Sequence, residues 1–282
     1  LGLHFDYETY DPRRDKRRKG TYAKAVFEHR QRKGMTLVDA ARLLKSRPYF
    51  ASQMVKSGHA DGFVGGVSRN YGDVLRPTIE LIGAADDAHC IIGCYMMNVK
   101  GRTIFLADAT VNVYPDSRTL AEIAVQTAKV ARRFGVDPKV AMLSFSNFGS
   151  SRAQRSERIE DAIHLAREID PSLVVDGPMQ GDTALNGAVQ GEYEFMAFEG
   201  PANVLVLPNL AAANIAYKLL EELGDAEMTG PILEGMRKPV QLVARQDGVR
   251  HIVNMAAICA ADSIRQDSYW ASLITPYVEE EE

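Results

Sequence analysis

The stretch VAMLSFSNFGSSRAQRSERIEDAIHLAREIDPSLVV, residues 140–175, decides the fold. Its apolar opening, within 140–145, reads as a strand, residues 152–169 as an amphipathic helix, and residues 173–175 as a second strand. Strand, helix and strand in that order make a βαβ unit, whose strands lie parallel with the helix packed across them. Outward from this unit the pattern repeats. Residues 62–66, 90–99, 103–107, 204–207 and 240–243 read as strands, and 73–82, 117–134, 211–223 and 249–264 as helices. The strands 90–99 and 103–107 are separated only by Lys100-Gly101-Arg102, which predicts a hairpin. The expected class is therefore α/β with a mixed, largely parallel sheet covered on both faces.

Residues 1–34 are polar, with the run Arg13-Arg14-Asp15-Lys16-Arg17-Arg18-Lys19, and are expected to form a solvated arm or surface helix. Thr36 then reads as a helix cap, with Asp39 three residues on and Leu37, Ala40, Ala41 and Leu44 on one face. The folded domain is expected over 35–278, followed by an acidic tail at 279–282. A start at Leu1 instead of Met suggests a piece of a longer chain.

Composition narrows the function. The 282 residues are 46% hydrophobic and 25% charged, ordinary for a globular protein. A formal net charge of -4 argues against broad nucleic-acid binding, which needs a basic surface. A local arginine cluster for small anions is still compatible with it. Three cysteines, Cys90, Cys94 and Cys259, form no disulfide framework. Cys90 and Cys94 sit in an apolar run, CIIGCYMM, and are expected to be buried free thiols and not metal ligands, in keeping with a reducing, cytoplasmic compartment. No apolar run approaches the ~20 residues of a membrane span.

In open α/β sheets, ligands bind beyond the carboxyl ends of the strands. Four junctions there are rich in small and polar residues. The first, SFSNFGSS at 144–151, offers Ser144, Ser146, Asn147, Phe148, Gly149 and Ser150 to a ligand, although a plain helix cap explains Ser150 as well. The second, Gly66-Val67-Ser68-Arg69-Asn70, precedes a helix carrying Arg76 and Pro77. The third, ADATVNVYPDSR at 107–118, holds Asn112, Tyr114 and Arg118. The fourth, GPANVLVLPNL at 200–210, ends on Asn209, which is well placed to cap the following helix.

These junctions, together with GPILEGMRKPVQLVARQDGVRHIVN at 230–254, resemble the phosphate acetyltransferases, which exchange acetyl groups between coenzyme A and phosphate. The match runs in order from about Gly58 to Asp262. SNFGSS and GPANVLVLPNL resemble more closely the phosphotransacetylase-like C-terminal domain of NADP-dependent malic enzymes. Pro178, Gly181 and His251 depart from that branch.

The resemblance implies a two-lobed α/β fold shared with isocitrate and isopropylmalate dehydrogenases, a CoA-binding cleft between lobes, and a homodimer or higher homo-oligomer. It assigns Arg76 and Arg245 to anion binding and makes Asn112 and Tyr114 candidates for lining the cleft, while Arg118 either reaches CoA phosphates or is a solvent-exposed arginine at the start of a helix. In the family a serine–arginine pair is followed by an aspartate that takes the thiol proton. The serine position here is Ala244, the arginine Arg245 and the aspartate position His251. Ala244 cannot donate a side-chain hydrogen bond, so the expected reading is a catalytically degenerate domain. It would bind acetyl-CoA as an effector and inhibit an attached malic-enzyme domain, with no catalytic residue, cofactor or metal of its own. NADP and Mg or Mn would belong to the attached domain. An active phosphate acetyltransferase with His251 as base is the enzyme alternative. A ligand-free oligomerisation module is the third reading.

Overall fold

The computed structural model describes residues 7–150 and 154–274. The first residues of the expected arm, the helix start at 152, and the end of the domain with its acidic tail lie outside the described residues. Helices α1 (Lys16–Arg30), α2 (Leu37–Leu43) and α3 (Arg47–Lys56) lead into β1 (Phe63–Gly65) and α4 (Tyr71–Leu81). Next come β2 (Ile92–Val99), β3 (Arg102–Ala107), α5 (Ser117–Arg133), β4 (Lys139–Leu143), α6 (Gln154–Ile169) and β5 (Val174–Met179). Two short helices, α7 (Gly181–Leu185) and α8 (Gly187–Gln190), precede β6 (Val204–Val206) and α9 (Leu210–Leu223). The remainder is β7 (Glu227–Glu234), β8 (Val240–Leu242) and α10 (Val249–Ile274).

Six strands form one sheet in the order β5-β4-β6-β3-β2-β7, and β1 pairs with β8 in a second, two-stranded sheet. Strands β5, β4, β6 and β3 run parallel, as do β1 and β8, whereas β2 is antiparallel to both β3 and β7. The fold is thus the expected α/β type with mixed, largely parallel sheets.

Side-chain alternation explains why both faces of the large sheet read as apolar. Phe105, Ala107, Val140, Met142, Val204 and Val206 point into one core with α5 and α6. Ile104, Leu106, Ala141 and Leu205 point the other way, onto Ala213 and Tyr217 of α9. The hairpin turn is Lys100-Gly101 alone, both at positive φ (50° and 73°), and Arg102 already pairs with Val99. Two positive φ values give the turn a twist that suits the flanking strands.

Three features differ from the sequence reading. Over 16–30 the helical alternative holds, with Asp15 as cap, but the helix is not purely a surface one: its Tyr22, Ala23 and Val26 are buried with Ala40, Leu44, Phe50 and Leu81. Lysines and arginines on the opposite face hid this short apolar stripe. On α2, capped by Thr36 as expected, Ala40 and Leu44 are fully buried but Leu37 is half exposed. Strand β7 was concealed by Gly230-Pro231: proline brings no N–H to the ladder, and the register against β2 shifts between Cys94 and Met96.

Candidate functional site

Parallel strands deliver their following loops to one edge. Here the loops after β3 and β6 meet those after β1 and β8, and between them lies a cleft of about 460 Å³. Tyr71 enters it from the start of α4, Ala109 and Thr110 from the loop after β3, Asn214 and Tyr217 from α9, and Ala244, Asp247 and His251 from the turn between β8 and α10. Tyr95 of β2 stacks on Tyr217 with ring centroids 4.3 Å apart and closes the floor.

The β8–α10 turn is held from two sides. Val243 N–H donates to the Gly65 carbonyl at 3.0 Å, so the loop after β8 lies against the loop after β1. Within the turn, Ala244 N–H donates to Asp247 Oδ2 at 2.6 Å. One helical turn further on, His251 Nε2 stands 3.4 Å from the same oxygen, with both side chains 18% exposed. That is an ion-pair distance, but the alignment is not that of a hydrogen bond, and Nε2 is buried without a hydrogen-bond partner. Sequence reasoning found Ala244 and His251. It missed Asp247, whose signal was its position four residues before the histidine at the head of a helix.

The loop after β3 is organised by Asp108. Its buried carboxylate accepts from Gly93 N (3.0 Å), Thr110 N (3.0 Å), Val111 N (3.2 Å), Asn112 N (2.8 Å) and Asn112 Nδ2 (2.6 Å). Burial raises this carboxyl above its ordinary range, and the hydrogen bonds from Thr110, Asn112 and Gly93 pull it back down. Arg158 of α6 braces the same region, donating to Pro115 O at 2.9 Å and Pro208 O at 2.8 Å.

The other expected site residues are dispersed. Asn112 holds Asp108 and the Ile91 carbonyl (2.9 Å) instead of lining the cleft. Tyr114 is 81% exposed, outside the cleft wall. Arg118 pairs with Glu122 at 3.1 Å along α5. Arg76 and Arg245 are exposed and make no ion pair among the described residues, although Arg245 sits between two residues of the cleft wall, Ala244 and Gln246. The loop 144–150 is braced against residues 178–195. Ser144 N–H donates to Met179 O (2.8 Å), and Asn147 Oδ1 accepts from Gln180 N (2.7 Å). The Phe148 ring, on a backbone at φ 42°, lies 5.0 Å from Tyr193 and 4.9 Å from Phe195. The Ser146 hydroxyl is buried without a partner, Gly149 adopts φ 76°, and Ser150 N–H closes a turn onto Asn147 O (2.9 Å). Asn209 caps α9 by accepting from Ala212 N at 2.9 Å.

Cys94 and Cys259 are buried and Cys90 is half-buried. Burial pushes Cys90 and Cys94 up to about 12 and Cys259 up to about 11. The thiols therefore stay protonated near neutrality and are poor nucleophiles. At pH 8 a disulfide thiol reagent is expected to react slowly with the native protein and to titrate three thiols after denaturation. Rapid labelling of the native protein would contradict this assignment. Among the described residues, no helix is long and apolar enough to cross a membrane, and no group of three His, Cys, Asp or Glu could hold a metal ion.

Comparison with known proteins connects this geometry to chemistry. Residues 3–260 match the profile of the Phosphate acetyl/butaryl transferase family. The chain is 37% identical over 266 residues to a phosphate acetyltransferase of Corynebacterium glutamicum, covering 92% of this chain and 79% of that protein. It is 39% identical over 245 residues to an NADP-dependent malic enzyme of Rhizobium meliloti, covering 86% of this chain but only 32% of that protein. Among solved structures, a phosphotransacetylase from Streptococcus pyogenes superposes with a TM-score of 0.87 at 35% identity, covering 93% of this chain and 80% of that one.

The near full-length match to proteins named phosphate acetyltransferase overturns the expectation, drawn from Ala244 and His251, that the chain is not an enzyme. That expectation counted an aspartate-to-histidine change as a loss. An imidazole beside a carboxylate is itself a common general base. The chain belongs to the Phosphate acetyl/butaryl transferase family.

Proposed function

We propose that this chain is a phosphate acyltransferase, moving an acyl group between a coenzyme A thioester and inorganic phosphate, with acetyl as the first group to test. The observation that carries this reading is the similarity to phosphate acetyltransferases over 92% of this chain and 79% of the relative. The Asp247–His251 pair in the cleft supports it, because acyl transfer to CoA needs a base for the thiol. In that direction His251 accepts the thiol proton, and the Asp247 carboxylate stabilises the imidazolium that results. The sulfur attacks the carbonyl carbon of acetyl phosphate, a C–S bond forms, the C–O bond breaks and phosphate departs. The proton then returns from His251 to solvent or phosphate. The exposed Arg245, one residue from Ala244, is the phosphate anchor in this scheme.

The test is thiol release from acetyl-CoA in the presence of phosphate, followed with a chromogenic disulfide, and thioester formation from acetyl phosphate and CoA in the reverse direction. Turnover in both directions is expected. Rates no higher than in protein-free controls in both would overturn the proposal.

A second reading is favoured by the malic-enzyme relative, of which the chain spans about a third. In it, acetyl-CoA bound in this cleft inhibits an attached malic-enzyme part that carries NADP and a divalent metal. The measurement is malic-enzyme activity of the longer protein with and without acetyl-CoA. In either reading we infer a homodimer, supported by the exposed apolar stripe Ile215, Leu219 and Leu223 on α9.

A further inference from the structure

Another cavity, of about 270 Å³, is lined by Asp11, Pro12, Arg13, Lys45, Arg47 and Arg69, and shares no lining residue with the cleft. Four cationic side chains thus face one space against a single carboxylate, in a chain of formal net charge -4. Among the described residues, none of the four makes an ion pair or a side-chain hydrogen bond. Asp11 is already engaged: Oδ1 accepts from Arg13 N–H at 2.9 Å, and Oδ2 stands 3.5 Å from Arg14 Nε. Arg42, by contrast, lies three residues before Lys45 and pairs with Asp39 at 3.5 Å.

The four cations come from three segments, each fixed by its backbone. Arg13 lies in the turn before α1, where Asp11 O accepts from Arg14 N–H at 3.0 Å. Lys45 and Arg47 flank Ser46 at the start of α3, and Lys45 N–H donates to Arg42 O at 3.1 Å. Arg69 precedes Asn70 at the start of α4, and its N–H donates to Gly66 O at 2.8 Å. Neither Ser46 nor Asn70 caps its helix through its side chain. The positive ends of the two helices therefore add to the field of the side chains. Like charges at close range repel, and an anion between them turns that repulsion into attraction. The arginine fork matches phosphate oxygens two at a time.

We propose that this cavity binds a compact phosphoryl anion of two or more negative charges, separately from the cleft. Free pyrophosphate or inorganic phosphate has that chemistry, and so do the phosphates of a nucleotide whose base stays outside. The site should fill whether or not the chain turns over acetyl-CoA.

The test is calorimetric titration with pyrophosphate, in a low-salt buffer free of phosphate, of wild type, Arg47→Gln, Arg69→Gln and the control Arg42→Gln. One site per chain is expected in wild type. Loss of one charge-assisted contact should weaken binding about ten-fold or more in Arg47→Gln and in Arg69→Gln. Arg42→Gln makes the same change in net charge and should bind like wild type. Neither cavity arginine has a partner to lose, so both variants should melt within about 2 °C of wild type, which separates weaker binding from unfolding. Pyrophosphate should also raise the wild-type melting temperature more than sodium chloride at the same ionic strength. ADP as a second titrant distinguishes the sources. Tighter binding than pyrophosphate, lost in Arg47→Gln, assigns the site to a nucleotide's phosphates, and weaker binding assigns it to the free anion. Absence of pyrophosphate binding to wild type, wild-type affinity in both Arg47→Gln and Arg69→Gln, or equal stabilisation by sodium chloride would each overturn the proposal.

Discussion

Replacing His251 by alanine is expected to lower kcat for acetyl transfer by ~10²–10⁴-fold, the usual share of a positioned general base. The side chain lines the cleft, its Nε2 is buried without a hydrogen bond, and the nearest charged group is Asp247 Oδ2 at 3.4 Å. Asp247→Asn should cost less. It keeps the shape of the turn but removes the charge that stabilises the protonated imidazole. It also weakens the bond that Asp247 Oδ2 accepts from Ala244 N–H. His251→Ala within three-fold of wild type would remove the histidine from the mechanism.

Gly66→Ala is expected to destabilise the protein by roughly 2–4 kcal/mol, through strain and overpacking together. Gly66 sits at φ 140°, and a Cβ there would lie 1.9 Å from the Val243 carbonyl oxygen. The obstacle is backbone, so no side chain can swing aside. The carbonyl belongs to the residue whose N–H bonds Gly65, and β1 and β8 share only three paired positions. Relief of the clash must therefore come from separating the small sheet, which also displaces Ala244 and Asp247. For a chain of this size the melting temperature should fall by about 4–16 °C. Gly72→Ala is the control: it lies on α4, and a Cβ there meets nothing within 4 Å. A Gly66→Ala protein melting within 2 °C of wild type would show that the two loops do not touch as described.

Much of the fold was legible because local rules and tertiary environment agreed. The βαβ unit over 139–179 and the Lys100-Gly101 hairpin are each specified by apolar runs and turn chemistry close in sequence. Helix α1 was legible only in part, since burial of Tyr22 and Val26 depends on α2, α3 and α4 presenting the other half of a core. The same holds for the polar loops. Small residues at 144–150 suggested ligand contacts. In the folded chain Ser144, Asn147 and Phe148 are engaged with residues 178–195, a partner that periodicity does not reveal.

The sequence by itself determined the α/β class, the positions of most of its strands along the chain, and the two changed positions, Ala244 and His251, because each is written in a few consecutive residues. Only the tertiary structure decided what those changes amount to. The β8–α10 turn brings Asp247 to within 3.4 Å of His251, and the loops after β1 and β3 bring Tyr71 and Thr110 into the cleft that Ala244 also lines. Proton affinity and hydrogen-bond supply depend on which groups surround a site in space, and residues 71, 110 and 251 meet only because the loops of the two sheets pack around one cleft.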